Sequence, residues 1–399
     1  MSLDINYTIG FAGTGKSHSL IRLLHSLPPE QIIVIAPTHK ALRRLTTSEE
    51  YQQSIEAKTI HSLLGWIPYI NENAQHINHI DSTHRLDKAL PDYKHIVIDE
   101  AGMMSEEMLM SIISKIEEAH DYNIQETITL HLYLDPYQLL PVKGQQIQTD
   151  PLTTVELTTQ HRAESLDIVN TYTKFVHYLQ HKQTTDLTIP YSEHILPFDI
   201  TKFRKGDRLL AYTNEAVGNW NQIIAQQLGI SSYINQEVQL GNRLTTEICE
   251  NFIELTLDDL LAMWESKQLV LQNTHINNKF LEPSLYALIT NKHIKFMTTS
   301  EGKVFPVIEG IGKANIVLKQ SKEAAIKDKR NFKHVYTLGR AFVMDYSFAS
   351  TVHKSQGQEW STIFIDKKDI QKSIFNNYYE NYARLIYVSL SRAINLIYI

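Results

Sequence analysis

Cysteine is nearly absent: Cys249 is the single one in 399 residues. No intrachain disulfide can form, and a reducing cytoplasm is the expected setting (the host cytoplasm if the source is viral). No apolar run approaches the length of a membrane span, so no membrane partner is expected. No positively charged stretch followed by an apolar one opens the chain, so no secretory leader is expected. An excess of positive charge is missing as well. Thirty-eight Lys and Arg stand against 44 Asp and Glu, a formal net charge of −6. That excludes a protein that holds nucleic acid through bulk charge; any such contact must be confined to a groove. No internal repeat and no long low-complexity segment is legible. What is present is ordinary for a globular chain, 43% hydrophobic and 21% charged, with length for two or more domains.

Strand and helix patterns alternate from the start. Ile5 to Ile9, Ile32 to Ala36, Ile96 to Ile98 and Leu130 to Leu134 are short apolar runs of the kind that fill buried parallel strands. Ser19 to Leu24 and Glu106 to Glu118 have helical periodicity. A second α/β set begins near Asp207 to Tyr212. It is expected to resume at Ala341 to Met344 and Thr362 to Ile365, and to close with Asn395 to Ile399. Between Gly229 and Gly339 the pattern breaks into short β-like pieces and a charged helical stretch, Lys319 to Lys333, which suggests an inserted subdomain. A shorter polar insertion runs from Trp66 to Tyr93.

Three segments carry chemistry. Gly10-Phe11-Ala12-Gly13-Thr14-Gly15-Lys16-Ser17 is a P-loop between a strand and a helix. Backbone N–H groups of such a loop cradle phosphates, the lysine reaches the outer phosphates, and the serine hydroxyl ligates Mg2+. Val97-Ile98-Asp99-Glu100 is an apolar strand ending in two carboxylates. Beside a P-loop, Asp99 is expected to hold Mg2+ and Glu100 to orient and deprotonate water. Asp135-Pro136-Tyr137-Gln138-Leu139-Leu140-Pro141-Val142 follows the next strand, where Gln138 is placed to contact a γ-phosphate. The histidine pairs His76 with His79 and His177 with His181 lack the cysteine or carboxylate cluster that would complete a metal site.

Taken in order, these segments resemble the motifs of superfamily 1 DNA helicases, and within them the Dda and RecD-like branch that moves 5′ to 3′. Ala36-Pro37-Thr38-His39-Lys40-Ala41 resembles motif Ia, and Thr59-Ile60-His61-Ser62-Leu63-Leu64 resembles motif Ib. Leu157 to Arg162 is similar to motif IV, and Ala211-Tyr212-Thr213-Asn214 to the motif that opens the second motor domain. Ser350 to Glu359 is similar to motif V, and Tyr387 to Ala393 to motif VI. The resemblance implies an α/β fold of two RecA-like motor domains with parallel sheets, residues 1–160 and 161–399. It also implies a β-hairpin insertion at 66–93 and a β-rich, SH3-like insertion at 229–339. Its implied cofactors are ATP and Mg2+. Gly10, Gly13, Thr14, Gly15, Lys16 and Ser17, with Gln356, Gly357 and Glu359, would bind the nucleotide. Lys16, Glu100, Gln138 and two arginine fingers, Arg162 and Arg392, would serve hydrolysis.

Single-stranded DNA and its junctions with duplex are the implied partners. A single-strand-binding protein or replisome component is a further candidate, and a monomer is expected. Thr38, His39, Thr59, His61, Thr213, Asn214, Thr351 and His353 would contact the DNA backbone, as hydroxyl and imidazole groups do without reading sequence. Trp66 or Tyr69, with Pro68, would act where strands part or would anchor the hairpin. The chain also departs from the family. No helix with an adenine-reading glutamine precedes the P-loop, so relaxed nucleotide selectivity is expected. Leu134 and Leu140 replace a common glycine and proline of motif III. The compact size suggests a phage-type enzyme by analogy with Dda, acting in replication, recombination or repair. Two other readings stay open: a translocase that displaces bound proteins, and a DNA-independent P-loop NTPase or kinase.

Overall fold

The computed structural model describes residues 3–64, 66–70, 76–80, 93–120, 127–141, 144–161, 166–182, 187–241, 246–271, 281–310, 313–314, 316–317, 341–375 and 379–399. The chain divides into two compact units, Met1–Phe198 with Ser355–Ile399, and Asp199–Lys354. This division follows contacts, whereas the expected border at 160/161 follows motifs.

The first unit is built on a parallel sheet. Its strands are β1 (Leu3–Ile9), β2 (Ile32–Ala36), β3 (Glu56–Thr59), β6 (His95–Ile98), β7 (Ile128–Leu134) and β8 (Thr154–Glu156), in the order β3-β2-β6-β7-β1-β8. The intervening β4 (Trp66–Ile70) and β5 (His76–Ile80) form a separate antiparallel pair, with Trp66 opposite Ile80. A hairpin therefore stands where the first insertion was expected. Helices α1 (Lys16–Ser26), α2 (His39–Thr46), α3 (Ile60–Leu63) and α4 (Glu106–His120) alternate with the strands, and α5 (Leu166–His181) follows β8. The apolar runs are the sheet core: all five residues of β2 are buried. Ile33, Ile35, Ile96, Ile98, Leu130 and Leu132 pack on one face, and Ile32, Val34, Val97 and Tyr133 on the other. This two-sided burial is why the strands read as continuous rather than alternating apolar runs. Because every strand is parallel, the ends of β1, β2, β3, β6 and β7 share one edge, and the functional segments follow from it.

Strand β9 (Ile195–Leu196) also belongs to this unit, where it pairs with a strand from the end of the chain. The second unit then begins with β10 (Arg208–Ala211) and α6 (Asn214–Gln227). There follow β11 (Gln236–Leu240), β12 (Thr246–Cys249), β13 (Asn251–Ile253), α7 (Leu257–Glu265), α8 (Leu281–Thr290), β14 (Lys295–Thr298), β15 (Val304–Glu309) and β16 (Phe342–Tyr346). These strands form one mixed sheet, β12-β11-β16-β15-β14-β13. A β-rich insertion is thus present. One expectation is corrected: Ala341 to Met344 does not resume the motor sheet. It lies in β16, antiparallel to β11 and parallel to β15. The alternating burial of β16 gives the reason, since a strand of this kind has one face on the core and one off it. The motor strand is instead β17 (Ala349–Thr351), which pairs in parallel with β10 and leads into α9 (Val352–Ser355). The charged stretch Lys319 to Lys333 lies outside the described residues.

The chain returns to the first unit with β18 (Trp360–Ile365), α10 (Lys367–Gln371), α11 (Glu380–Leu390) and β19 (Ala393–Tyr398). β19 pairs in parallel with both β18 and β9. α11 is buried from Tyr382 through Leu390 and packs on α5.

Candidate nucleotide site and strand-contact positions

The loop between β1 and α1 turns through two left-handed glycines, Gly13 at φ +83° and Gly15 at φ +86°. A side chain at either would be strained. Neighbours enforce the glycines too: a Cβ at Gly13 would lie 2.1 Å from Gln160 Oε1, and one at Gly10 2.4 Å from Thr14 Oγ1. Lys16 Nζ donates to the carbonyls of Gly10 at 2.6 Å and Phe11 at 3.0 Å, and stands 4.0 Å from Asp135 Oδ2.

Asp99 and Glu100 follow β6. Asp99 is buried, and burial together with the Glu100 charge pushes its carboxyl up to about 6, against the pull of Arg44. Its Oδ1 accepts the Glu100 N–H at 2.9 Å. Glu100 itself is left-handed, at φ 52° and ψ 36°. A non-glycine residue there costs about 1–3 kcal/mol, and such outliers gather at functional sites. Gly102 lets this turn approach the next strand closely, since a Cβ there would meet the Asp135 carbonyl at 3.0 Å.

Asp135 directly follows β7, fully buried, and its carboxyl is raised by desolvation against the opposing pull of Lys16. Gln138 Nε2 donates to Asp135 Oδ2 at 3.4 Å, and Gln356 Nε2 donates to Gln138 Oε1 at 3.4 Å. The structure thus brings Lys16, Asp135, Gln138 and Gln356 into one chain of contacts. Glu359 and left-handed Gly357 line a cavity of about 320 Å3 with Arg44, Gln358 and Trp360. Arg392 is 3% exposed. Its guanidinium donates to Ser391 Oγ and to the carbonyls of Val388 and Gln358. Arg162 lies outside the described residues. The side chains of His39, Trp66, Pro68 and Tyr69 are likewise outside them, although their backbone positions are described.

Residues missed in the sequence hold this arrangement. Tyr387 on α11 is fully buried; its hydroxyl accepts the Ala12 N–H of the P-loop at 2.7 Å and donates to Asp135 Oδ2. Arg384, one turn earlier, donates to the carbonyls of Pro136 at 2.8 Å and Gln138 at 2.6 Å while paired with Glu380. Gln160 and Tyr172 both donate to the Ala12 carbonyl. The His161 N–H donates to Gly13 O. Three side chains from outside the P-loop, those of Tyr387, Gln160 and Tyr172, therefore bond its Ala12.

The oxygen groups present fit Mg2+ and a nucleotide. Ser17 supplies a hydroxyl, and Asp99 and Glu100 supply carboxylates, all hard donors. A buried carboxylate raised to about 6 gains from a cation.

The strand-contact positions share one device. Thr38 follows β2 and caps α2, its Oγ1 accepting from the Ala41 N–H at 3.1 Å. Thr59 ends β3 and caps α3 through the Ser62 N–H at 3.2 Å. In the second unit Thr213 follows β10 and caps α6 through the Ala216 N–H at 3.2 Å, and Thr351 ends β17 and accepts from the Lys354 N–H at 3.3 Å. Register matches as well: Ala36 pairs with Thr59, and Ala211 pairs with Thr351. The two pairs of threonines therefore sit at equivalent register positions, each in a strand pair of its own unit. A threonine hydroxyl that accepts a cap bond also has an O–H that can donate. His61 and His353 stand two residues past Thr59 and Thr351; burial lowers the His353 imidazole.

Residues 2–189 match the family model of an AAA domain, and residues 346–399 match that of a UvrD-like helicase C-terminal domain. An uncharacterised protein of Acanthamoeba polyphaga mimivirus is 29% identical over 153 residues, covering 35% of this chain and 29% of that protein. The match therefore spans under a third of that relative's length. Among solved structures, Bacteroides Pif1 bound to single-stranded DNA is similar with a TM-score of 0.53 at 16% identity, over 99% of this chain and 88% of that one. Candida albicans Pif1 helicase gives 0.50 at 16% identity, over 99% and 90%. The chain thus carries an AAA domain ahead of a UvrD-like helicase C-terminal domain, the pairing of the superfamily 1 helicases, and its fold is similar to that of the Pif1 structures.

Proposed function

We propose that this protein is an ATP-dependent DNA helicase that translocates 5′ to 3′ on single-stranded DNA and parts duplex ahead of it. The observation that carries the reading is the recurrence of paired capping threonines in both units, with a nucleotide site in the first. Two alike grips and one fuel site are what a stepping motor needs. Motor domains at 1–160 and 161–399, with insertions at 66–93 and 229–339, belong to the same proposal. So do a monomeric state and a cytoplasmic setting; among the described residues no helix is long and apolar enough to cross a membrane.

Mg2+ supplies charge neutralisation at the phosphates when bound. Ser17 and Asp99 would hold it, and Lys16, now on the Gly10 and Phe11 carbonyls, would reach the phosphates. Glu100 takes a proton from water. Arg392 and Arg162 stabilise developing charge, a contribution worth about 10³–10⁵ in rate for such arginines. Gln138, tied to Gln356, relays the state of the site. Thr38, Thr213 and their partners hold phosphate oxygens without reading bases. Unwinding of duplexes with 5′ or 3′ single-stranded tails tests the reading. Only the 5′-tailed substrate should open with ATP. Opening of the 3′-tailed substrate alone would overturn the direction, and opening of neither would favour a translocase that strips bound proteins.

A further inference from the structure

Arg44 stands in the last turn of α2, the helix that Thr38 caps at its other end. Its Nη2 donates to Ser17 Oγ at 2.7 Å, and its Nη1 lies 3.7 Å from Glu100 Oε1. The same side chain lines the cavity shared by Gly357, Gln358, Glu359 and Trp360. One guanidinium therefore touches the hydroxyl expected to ligate Mg2+, the carboxylate expected to orient water, and the chamber beside them. Folding does not account for this placement, because an ion pair whose arginine is 40% exposed contributes little to stability.

The oxygen chemistry is competitive. Arg44 and a metal ion draw on the same Ser17 oxygen, and two cations so close repel. α2 is eight residues long, a rod of about 12 Å. Movement at its capped end carries to the guanidinium at its other end.

We propose that Arg44 is a positioning residue that couples DNA contact at the head of α2 to metal binding at its tail. Without DNA, Arg44 holds Ser17 and Glu100; a phosphate at Thr38 draws the helix and frees both for the Mg2+–nucleotide. The proposal rests on the nucleotide-site reading above.

Binding of a fluorescent adenosine diphosphate tests it, measured with and without Mg2+ and with and without a single-stranded oligonucleotide. In the wild type, DNA should tighten binding only when Mg2+ is present. Arg44→Gln should tighten the Mg2+-dependent binding about tenfold without DNA, the scale of one lost charge-assisted hydrogen bond. It should leave Mg2+-free binding unchanged and abolish the DNA effect. Arg44→Lys should restore part of that effect. Weaker Mg2+-dependent binding in Arg44→Gln, or a DNA effect that survives intact, would overturn the coupling. Failure of the underlying reading looks different: the wild type itself would bind no nucleotide, and Lys16→Ala would change nothing.

Discussion

The two compact units end their strands alike and differ in what one of them adds. In the first, β2 and β3 run side by side, β3 ending in Thr59 and β2 followed by Thr38; in the second, β17 ends in Thr351 and β10 is followed by Thr213. Each pair has one half-buried threonine, Thr38 or Thr213, and one that is 6% exposed, Thr59 or Thr351. Only the first unit adds a glycine-rich loop, a left-handed Glu100 and the Tyr387 and Arg384 contacts around Asp135. A capped strand end is a general device for presenting a hydroxyl and helix N–H groups to a phosphate. Hydrolysis needs more, since its groups must be brought from four separate segments and locked there.

The comparison breaks if the half-buried threonines are not equivalent. Asp is as good an N-cap as Thr but repels phosphate. Thr38→Asp and Thr213→Asp should each keep the unfolding temperature and weaken single-stranded DNA binding more than about tenfold, the cost of a close like charge. Loss in one variant alone would show that one unit grips and the other does not.

Tyr387→Phe sharpens the difference between the units. It leaves the Ala12 N–H and the Asp135 carboxylate without their shared partner, at a cost of about 1–3 kcal/mol. ATP turnover should fall about tenfold or more, while DNA affinity measured without nucleotide stays near the wild-type value. Equal losses in both would make Tyr387 a general core residue.

Smaller effects are expected at the buried caps. Thr59→Ala and Thr351→Ala should each destabilise by about 1 kcal/mol, read from denaturant unfolding. Unequal costs would argue that the two caps are not alike. The least effect is one of pH. His95 Nδ1 lies 3.3 Å from His131 Nε2 on adjacent strands of the first unit. Burial lowers both imidazoles, His131 to about 4 from an ordinary 6.5, with Lys94 adding to the lowering at His95. His131 stays neutral in the fold, so between pH 6.5 and about 4 the unfolded chain binds more protons. Stability should fall as pH drops through that window, and His131→Gln should flatten the fall. A midpoint of thermal unfolding that is constant across the window would contradict this.

Much of the first unit was legible because its information is local. Five buried residues in a row mark β2, and a glycine-rich loop between strand and helix marks the phosphate cradle. β16 misled because a short apolar segment looks alike in either sheet, and pairing partners decide which sheet it joins. Tyr387 reads in the sequence only as the first residue of motif VI, with no role of its own, and Arg384 is not singled out. Their partners lie 252 and 246 residues away in the chain, and helical periodicity alone does not name such partners. The repeat of Thr59-Ile60-His61 in Thr351-Val352-His353 was in plain view, but three residues are too few to separate from chance without the matching register.

The central claim is that one nucleotide site powers a grip on single-stranded DNA. The most direct test is the rate of ATP hydrolysis with and without a single-stranded oligonucleotide, with Lys16→Ala as control. The account predicts strong stimulation by the oligonucleotide that disappears in Lys16→Ala. Hydrolysis that ignores the oligonucleotide, or that survives Lys16→Ala, would contradict it.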